Sequence, residues 1–99
     1  MNITVKYYNL FQEALGVKNE VYQLEKDANL ARLIQKIIEK HGSKARELLY
    51  KEADILAPYI RFFIDNKLVY DLSQVLSDGV EVAVFYAVVL VVEVELLLE

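Results

Sequence analysis

The sequence predicts one α+β domain, a mixed sheet of four to five strands with one main helix and a short second helix packed on it. Three observations predict it. The chain has 99 residues, the length of one domain, and such a domain buries roughly 60–70 % of its unfolded surface, enough for one modest core. A content of 56 % hydrophobic and 26 % charged residues is that of a folded chain, not a disordered one. The apolar residues follow a period of two near both ends and a helical period in the middle, in the order ββ-α-ββ-β. That order predicts first and last strands that lie adjacent and parallel.

Each element has its own signal. Residues 2–8 alternate Ile3, Val5 and Tyr7 against Asn2, Thr4 and Lys6, which predicts a half-buried strand. Residues 9–16 place Leu10, Phe11, Ala14 and Leu15 at helical spacing and stop at Gly16, a short helical turn. Residues 20–24 alternate again and predict a second strand, antiparallel to the first. The main helix covers 29–41: Asn29 is a candidate N-cap, and Leu30, Leu33, Ile34, Ile37 and Ile38 form one stripe. His41 and Gly42 end it with a cation and a C′ glycine. Ser43 is expected to cap a shorter helix to about Tyr50, with Ala45, Leu48 and Leu49 inward, and Pro58 to block its continuation. Residues 59–64 and 67–70 predict a hairpin turning at Asp65-Asn66, two residues that tolerate positive φ. A connector at 72–76 and a turn at 77–79 lead into a last strand from Val80.

Composition excludes several function classes. The chain has no Cys, which removes disulfides, thiolate metal sites and cysteine nucleophiles. A single His removes histidine-rich metal clusters. The first residues lack the basic-then-apolar layout of a secretory signal, so a cytoplasmic location is expected. Residues 1–67 hold all 11 basic groups and 9 acidic ones, whereas Asp71, Asp78, Glu81, Glu93, Glu95 and Glu99 leave the rest purely acidic. That asymmetry argues against nucleic acid, whose footprint is a clustered basic patch. The uncharged run from Val82 to Val92 is 11 residues, short of the ~20 that span a bilayer as a helix. No membrane association is expected.

Residues that suggest chemistry have plainer explanations. His41 is expected to act as a helix-end or surface cation rather than a general base, since no nucleophile neighbours it in sequence. Asp71, Asp78 and Glu81 read as turn and strand residues, not as a metal site, and no cofactor is expected. The seven tyrosines read as core and cross-strand partners. The three glycines are too scattered for a phosphate-binding loop.

Taken in order, these segments resemble a known family. Residues 5–8 followed by Phe11-Gln12-Glu13-Ala14-Leu15-Gly16, the helix at 29–41, Ile64-Asp65-Asn66-Lys67, and the closing run Leu76-Ser77-Asp78-Gly79-Val80-Glu81-Val82-Ala83-Val84-Phe85 are similar to the β-grasp, ubiquitin-like sulfur carriers. The likeness is to the small subunit of molybdopterin synthase and its thiamine-pathway relative. It spans residues 1–88, the expected β-grasp domain, and leaves 89–99 as a hydrophobic and acidic tail. The resemblance implies a non-catalytic subunit in molybdenum cofactor biosynthesis. It implies two protein partners, a large catalytic synthase subunit and an ATP-dependent adenylating enzyme.

The family's carrier chemistry runs through a terminal Gly-Gly, whose carboxylate becomes a thiocarboxylate. Here no glycine follows Gly79, and Val, Leu and Glu cannot supply the close backbone approach that glycine gives a threaded tail. Sulfur carriage through these residues is therefore not expected. An altered end in place of a native glycine pair, with Leu98-Glu99 a cloning remnant, is one explanation. The other is a self-associating module whose Val88 to Leu98 segment is extended and completes the sheet of a second copy. Phe85, Tyr86, Ala87, Val88, Val89, Leu90, Val92 and Val94 are the candidate partner-binding residues, and a homodimer through that strand is the expected assembly.

Overall fold

A computed structural model describes residues 1–52 and 55–86. The elements are β1 (Asn2–Tyr7), α1 (Leu10–Leu15), β2 (Asn19–Gln23), α2 (Leu30–His41), α3 (Ser43–Leu49), β3 (Tyr50–Glu52), β4 (Ile55–Leu56), β5 (Ile60–Ile64), β6 (Lys67–Val69) and β7 (Glu81–Tyr86). Five strands form one mixed sheet in the order β2-β1-β7-β5-β6, while β3 and β4 form a separate two-stranded ribbon. β1 and β7 are parallel neighbours, with Val5 opposite Val82 and Tyr7 opposite Val84. The other pairs in the sheet are antiparallel.

The period-two pattern sends one side of each strand to the core. Ile3, Val5, Tyr7, Ile60, Phe62, Val82 and Val84 are buried there, and Leu30, Leu33, Ile34 and Ile37 of α2 join them in one apolar cluster. Ile38 lies at its margin, partly buried. Asn29 caps α2 as expected, its side chain accepting the Arg32 N–H at 2.9 Å. The connector is stitched to the same helix end: the Leu30 and Ala31 N–H groups donate to the Gln74 and Leu72 carbonyls at 3.0 and 2.9 Å.

The turns explain the register. Asp65 and Asn66 both take positive φ, 46° and 68°, the twist a two-residue hairpin needs. The Asp65 carboxylate then accepts the Glu81 N–H at 3.0 Å, which ties that hairpin to β7. Gly79 has φ +82°, and its N–H donates to the Asn2 carbonyl at 2.8 Å, setting β7 beside β1.

The main helix, the short helix after it and the helical turn at 9–16 are all present, as α2, α3 and α1. Three details differ. Ser43 is the first residue of α3 rather than its cap. Gly42 holds that place at φ 68°, closing α2 through the Ile38 carbonyl and opening α3 with its own. α3 ends at Leu49, within a residue of the expected Tyr50, but what stops it is the turn to extended backbone at Tyr50 that makes the β3–β4 ribbon, not Pro58. Strand ends also differ by a residue or so, with β5 starting at Ile60 and β7 at Glu81. No helix among the described residues is long and apolar enough to cross a membrane.

Candidate protein-docking face at the end of β7

Two groupings of side chains stand out, one on each side of the sheet. The first is a cluster on the core side. Alternation along β2 places Glu20 on the same face as buried Tyr22, so an acidic group points inward. Its side chain is 7 % exposed. The carboxylate accepts from Tyr22 Oη at 2.6 Å, Tyr7 Oη at 2.8 Å, His41 Nε2 at 2.9 Å and Lys40 Nζ at 3.0 Å. Burial pushes the Glu20 carboxyl up, but hydrogen bonds from Tyr22, His41, Tyr7 and Lys40 outweigh it and hold the group down at about 2. Burial is also the main reason that the Tyr7 and Tyr22 hydroxyls sit well above the ordinary phenol range. A carboxylate so stabilised is a poor base near neutral pH, so the cluster's work is to fasten the C-terminus of α2 to β1 and β2.

His41 ends α2 as expected, but it is turned inward rather than out to the surface. Its side chain is 14 % exposed and engaged by Glu20 across 21 residues of sequence. The physical reason is the register, which brings the inward Glu20 beneath the last turn of α2. The signal was present in the alternation itself, since a strand with Tyr22 inward must carry Glu20 inward too.

The second grouping lies on the opposite face of the sheet, which no helix covers among the described residues. Register aligns Ala83 with Phe63 and Phe63 with Leu68 in one row, and Phe85 with Arg61 in the next. Tyr8 follows β1 and donates its N–H to the Val84 carbonyl, so its ring meets Phe85, stacked at 4.4 Å between centroids and 6° between planes. Phe63 meets the same ring edge-on at 5.2 Å. The Arg61 guanidinium sits 5.7 Å from the Tyr70 ring and donates to the Pro58 and Ile60 carbonyls at 2.7 and 2.9 Å. Tyr70 is 73 % exposed and Leu68 43 %. A Lys6–Glu81 ion pair at 2.8 Å borders the row, and its hydrogen bond and charge raise the Lys6 ammonium.

Of the predicted binding residues, Phe85 and Tyr86 are both in this region. Phe85 anchors the open face. Tyr86 points to the other side, 6.1 Å from the Phe11 ring and 5.9 Å from Tyr59. The last strand therefore ends with aromatic groups on both of its faces. Ala87, Val88, Val89, Leu90, Val92 and Val94 lie outside the described residues, as does the expected pairing of residues 88–98 with a sheet edge. Sequence reasoning missed Tyr8, Phe63, Leu68, Tyr70 and Arg61, although strand alternation alone placed Phe63 and Phe85 on a face opposite the core. Among the described residues no group of acids and His is placed to hold a metal ion. Asp71 accepts from Ser73 in its own turn, Asp78 accepts the Asn2 N–H at 2.7 Å, and Glu81 pairs with Lys6.

A mixed five-stranded sheet with parallel first and last strands, crossed on one side by α2, defines a ubiquitin-like β-grasp fold. Solved structures give particular relatives. SAMP1 from Haloferax volcanii is similar with a TM-score of 0.82 at 16 % identity, covering 89 % of this chain and 97 % of its own. A putative molybdopterin converting factor subunit 1 from Pyrococcus furiosus is similar with a TM-score of 0.74 at 27 % identity, covering 89 % and 99 %. A complex of subunits 1 and 2 of the molybdopterin-converting factor from Helicobacter pylori matches with a TM-score of 0.61 at 16 % identity, covering 89 % and 96 %. No protein-family model and no curated protein matches the sequence. The resemblance read from the residues is thus matched by the fold.

Proposed function

We propose that this chain is a non-catalytic β-grasp subunit that works by docking on protein partners through the open sheet face and the end of β7. The observation that carries the reading is the Tyr8–Phe85–Phe63 row with Leu68 and Tyr70 beside it. A contiguous aromatic patch of this kind, with an arginine at its edge, has the composition of an interface core. The similar Helicobacter pylori protein is seen as one subunit of a two-protein complex, which supports a protein as the occupant. In the finer reading, the family resemblance of the sequence implies a large synthase subunit and an adenylating enzyme of molybdenum cofactor biosynthesis as the partners, and the likeness to a putative molybdopterin converting factor subunit 1 supports that family.

Sulfur transfer is a separate matter from docking. The family's chemistry acts on a terminal glycine pair, and residues 80–99 contain no glycine. Mass spectrometry of the endogenous protein decides it: a Gly-Gly terminus or a thiocarboxylate establishes the carrier role. Docking is tested by titrating the isotope-labelled chain with the large-subunit protein of its own genome. The reading expects amide shifts concentrated at Arg61, Leu68, Ala83 and Phe85. Shifts confined to α2, or none at all, reject it. Light scattering on the chain alone tests the alternative that the partner is a second copy.

A further inference from the structure

We propose that two copies of this chain pair edge to edge through β2, antiparallel about a two-fold axis at Val21. This edge lies outside the Tyr8–Phe85–Phe63 row and does not depend on the docking reading.

The bonding pattern of β1 and β2 shows which backbone groups are left over. The Tyr7 N–H donates to the Lys18 carbonyl at 2.8 Å, and the Leu24 N–H to the Met1 carbonyl at 2.9 Å. Between them the register is unbroken, with Val5 opposite Glu20 and Ile3 opposite Tyr22. Antiparallel ladders alternate bonded and non-bonded pairs. Glu20 and Tyr22 therefore bond to β1, while Asn19, Val21 and Gln23 turn their N–H and C=O groups outward. β2 is the outermost strand on its side of the sheet, and no strand among the described residues pairs with its outer edge. Nor is the edge guarded in the usual ways. It runs Asn19–Gln23 with no bulge and no proline. Its outward-bonding residues carry no charge, and Val21 is 60 % exposed. By contrast β6, at the other end of the sheet, has only three residues and begins on Lys67.

The edge fits a second copy of itself. Asn19, Val21 and Gln23 read amide, apolar, amide in either direction. An antiparallel copy sets Val21 opposite the partner's Val21 and Asn19 opposite the partner's Gln23, each pair exchanging two N–H···O=C bonds. The two valines pack at the axis. Gln23 Nε2 already donates to Asn2 Oδ1, which leaves its Oε1 to accept from the partner's Asn19. Charge favours the same occupant. The groups flanking the edge are neutralised within the chain, Lys40 by Glu20 at 3.0 Å and Arg32 by Glu25 at 2.8 Å. A strongly charged peptide gains no field there, whereas two copies meet without repulsion. Lys18, just before β2, falls opposite the partner's Leu24 and within a residue of the partner's Glu25, so opposite charges come together at each end of the pairing. A closed two-fold pair is also the commonest form of homo-oligomer. It joins two five-stranded sheets into one and leaves β7, β5 and β6 of both copies uncovered, so the pair presents two docking faces.

The test uses the full chain and two variants at the axis, Val21→Lys and Val21→Glu. Val21 is exposed and outside the core, so neither change should disturb the fold. Sedimentation velocity from about 10 µM to about 1 mM covers the range that a small interface requires. The original chain is expected to approach twice the monomer mass as concentration rises. Each variant alone places like charges face to face and is expected to associate at least tenfold more weakly. An equal mixture of the two places Lys opposite Glu and is expected to restore the dimer. An original chain that stays monomeric throughout overturns the proposal. So does a single variant that dimerises as well as the original, since its dimer is then held by another surface. A mixture that stays monomeric while the original chain dimerises overturns it as well, because residue 21 then does not face its own copy.

Discussion

Replacing Glu20 by Gln isolates the charge at the centre of the core-side cluster. The amide keeps the shape, and its oxygen still accepts from the tyrosine hydroxyls 2.6 and 2.8 Å away, but the carboxylate opposite Lys40 and His41 is gone. A carboxyl at 4.5 in the unfolded chain and about 2 in the folded one contributes about 3 kcal/mol to folding. The sign follows from the lower folded value: the contribution is complete above about pH 4.5 and is lost as pH falls towards 2. Glu20→Gln is therefore expected to destabilise by about 3 kcal/mol at pH 7, a large share of the ~5–15 kcal/mol such a domain has. Urea unfolding at pH 7, 4.5 and 3 measures it, and the gap between the two proteins should be near its full size at pH 7 and 4.5 and clearly narrower at pH 3. A loss below 1 kcal/mol at pH 7, or a gap that does not change with pH, refutes the reasoning.

Two further substitutions test the fold. Ile37→Ala, at a site 1 % exposed, is expected to cost about 2–5 kcal/mol, and a chemical-denaturation loss below 1 kcal/mol means that α2 packs differently. Gly79→Ala meets no atom within 4 Å but forces φ +82° on an L-residue, so a loss of about 1–2 kcal/mol in the same assay comes from backbone strain alone.

Much of this molecule was legible before its structure, for identifiable reasons. Leu30, Leu33, Ile34 and Ile37 were assigned to the core from spacing because a helix stripe has only one face to bury. The parallel pairing of β1 with β7 followed from element order, and the Asp65-Asn66 turn from its residue types. The Glu20–His41 tie was not read, since two groups 21 residues apart meet only through the register of β2 against α2. The β3–β4 ribbon was missed because Tyr50–Glu52 and Ile55–Leu56 are too short to show a period. At the candidate site, Phe85 and Tyr86 were named for closeness to the tail, whereas the row that Phe85 joins is assembled from β1, β5 and β6, a cross-strand relation without a linear signature.

The central claim is that the open face of the sheet is where a protein partner docks. Isothermal titration of the chain and of Leu68→Asp against the large-subunit protein tests it most directly, with Lys44→Ala on α3 as the control. Leu68 is half-exposed at the edge of the row and outside the buried core, so its replacement reports on the surface. The account predicts that Leu68→Asp weakens binding at least tenfold, about 1.4 kcal/mol, while Lys44→Ala leaves the affinity unchanged. Equal affinity for the original chain and Leu68→Asp contradicts it.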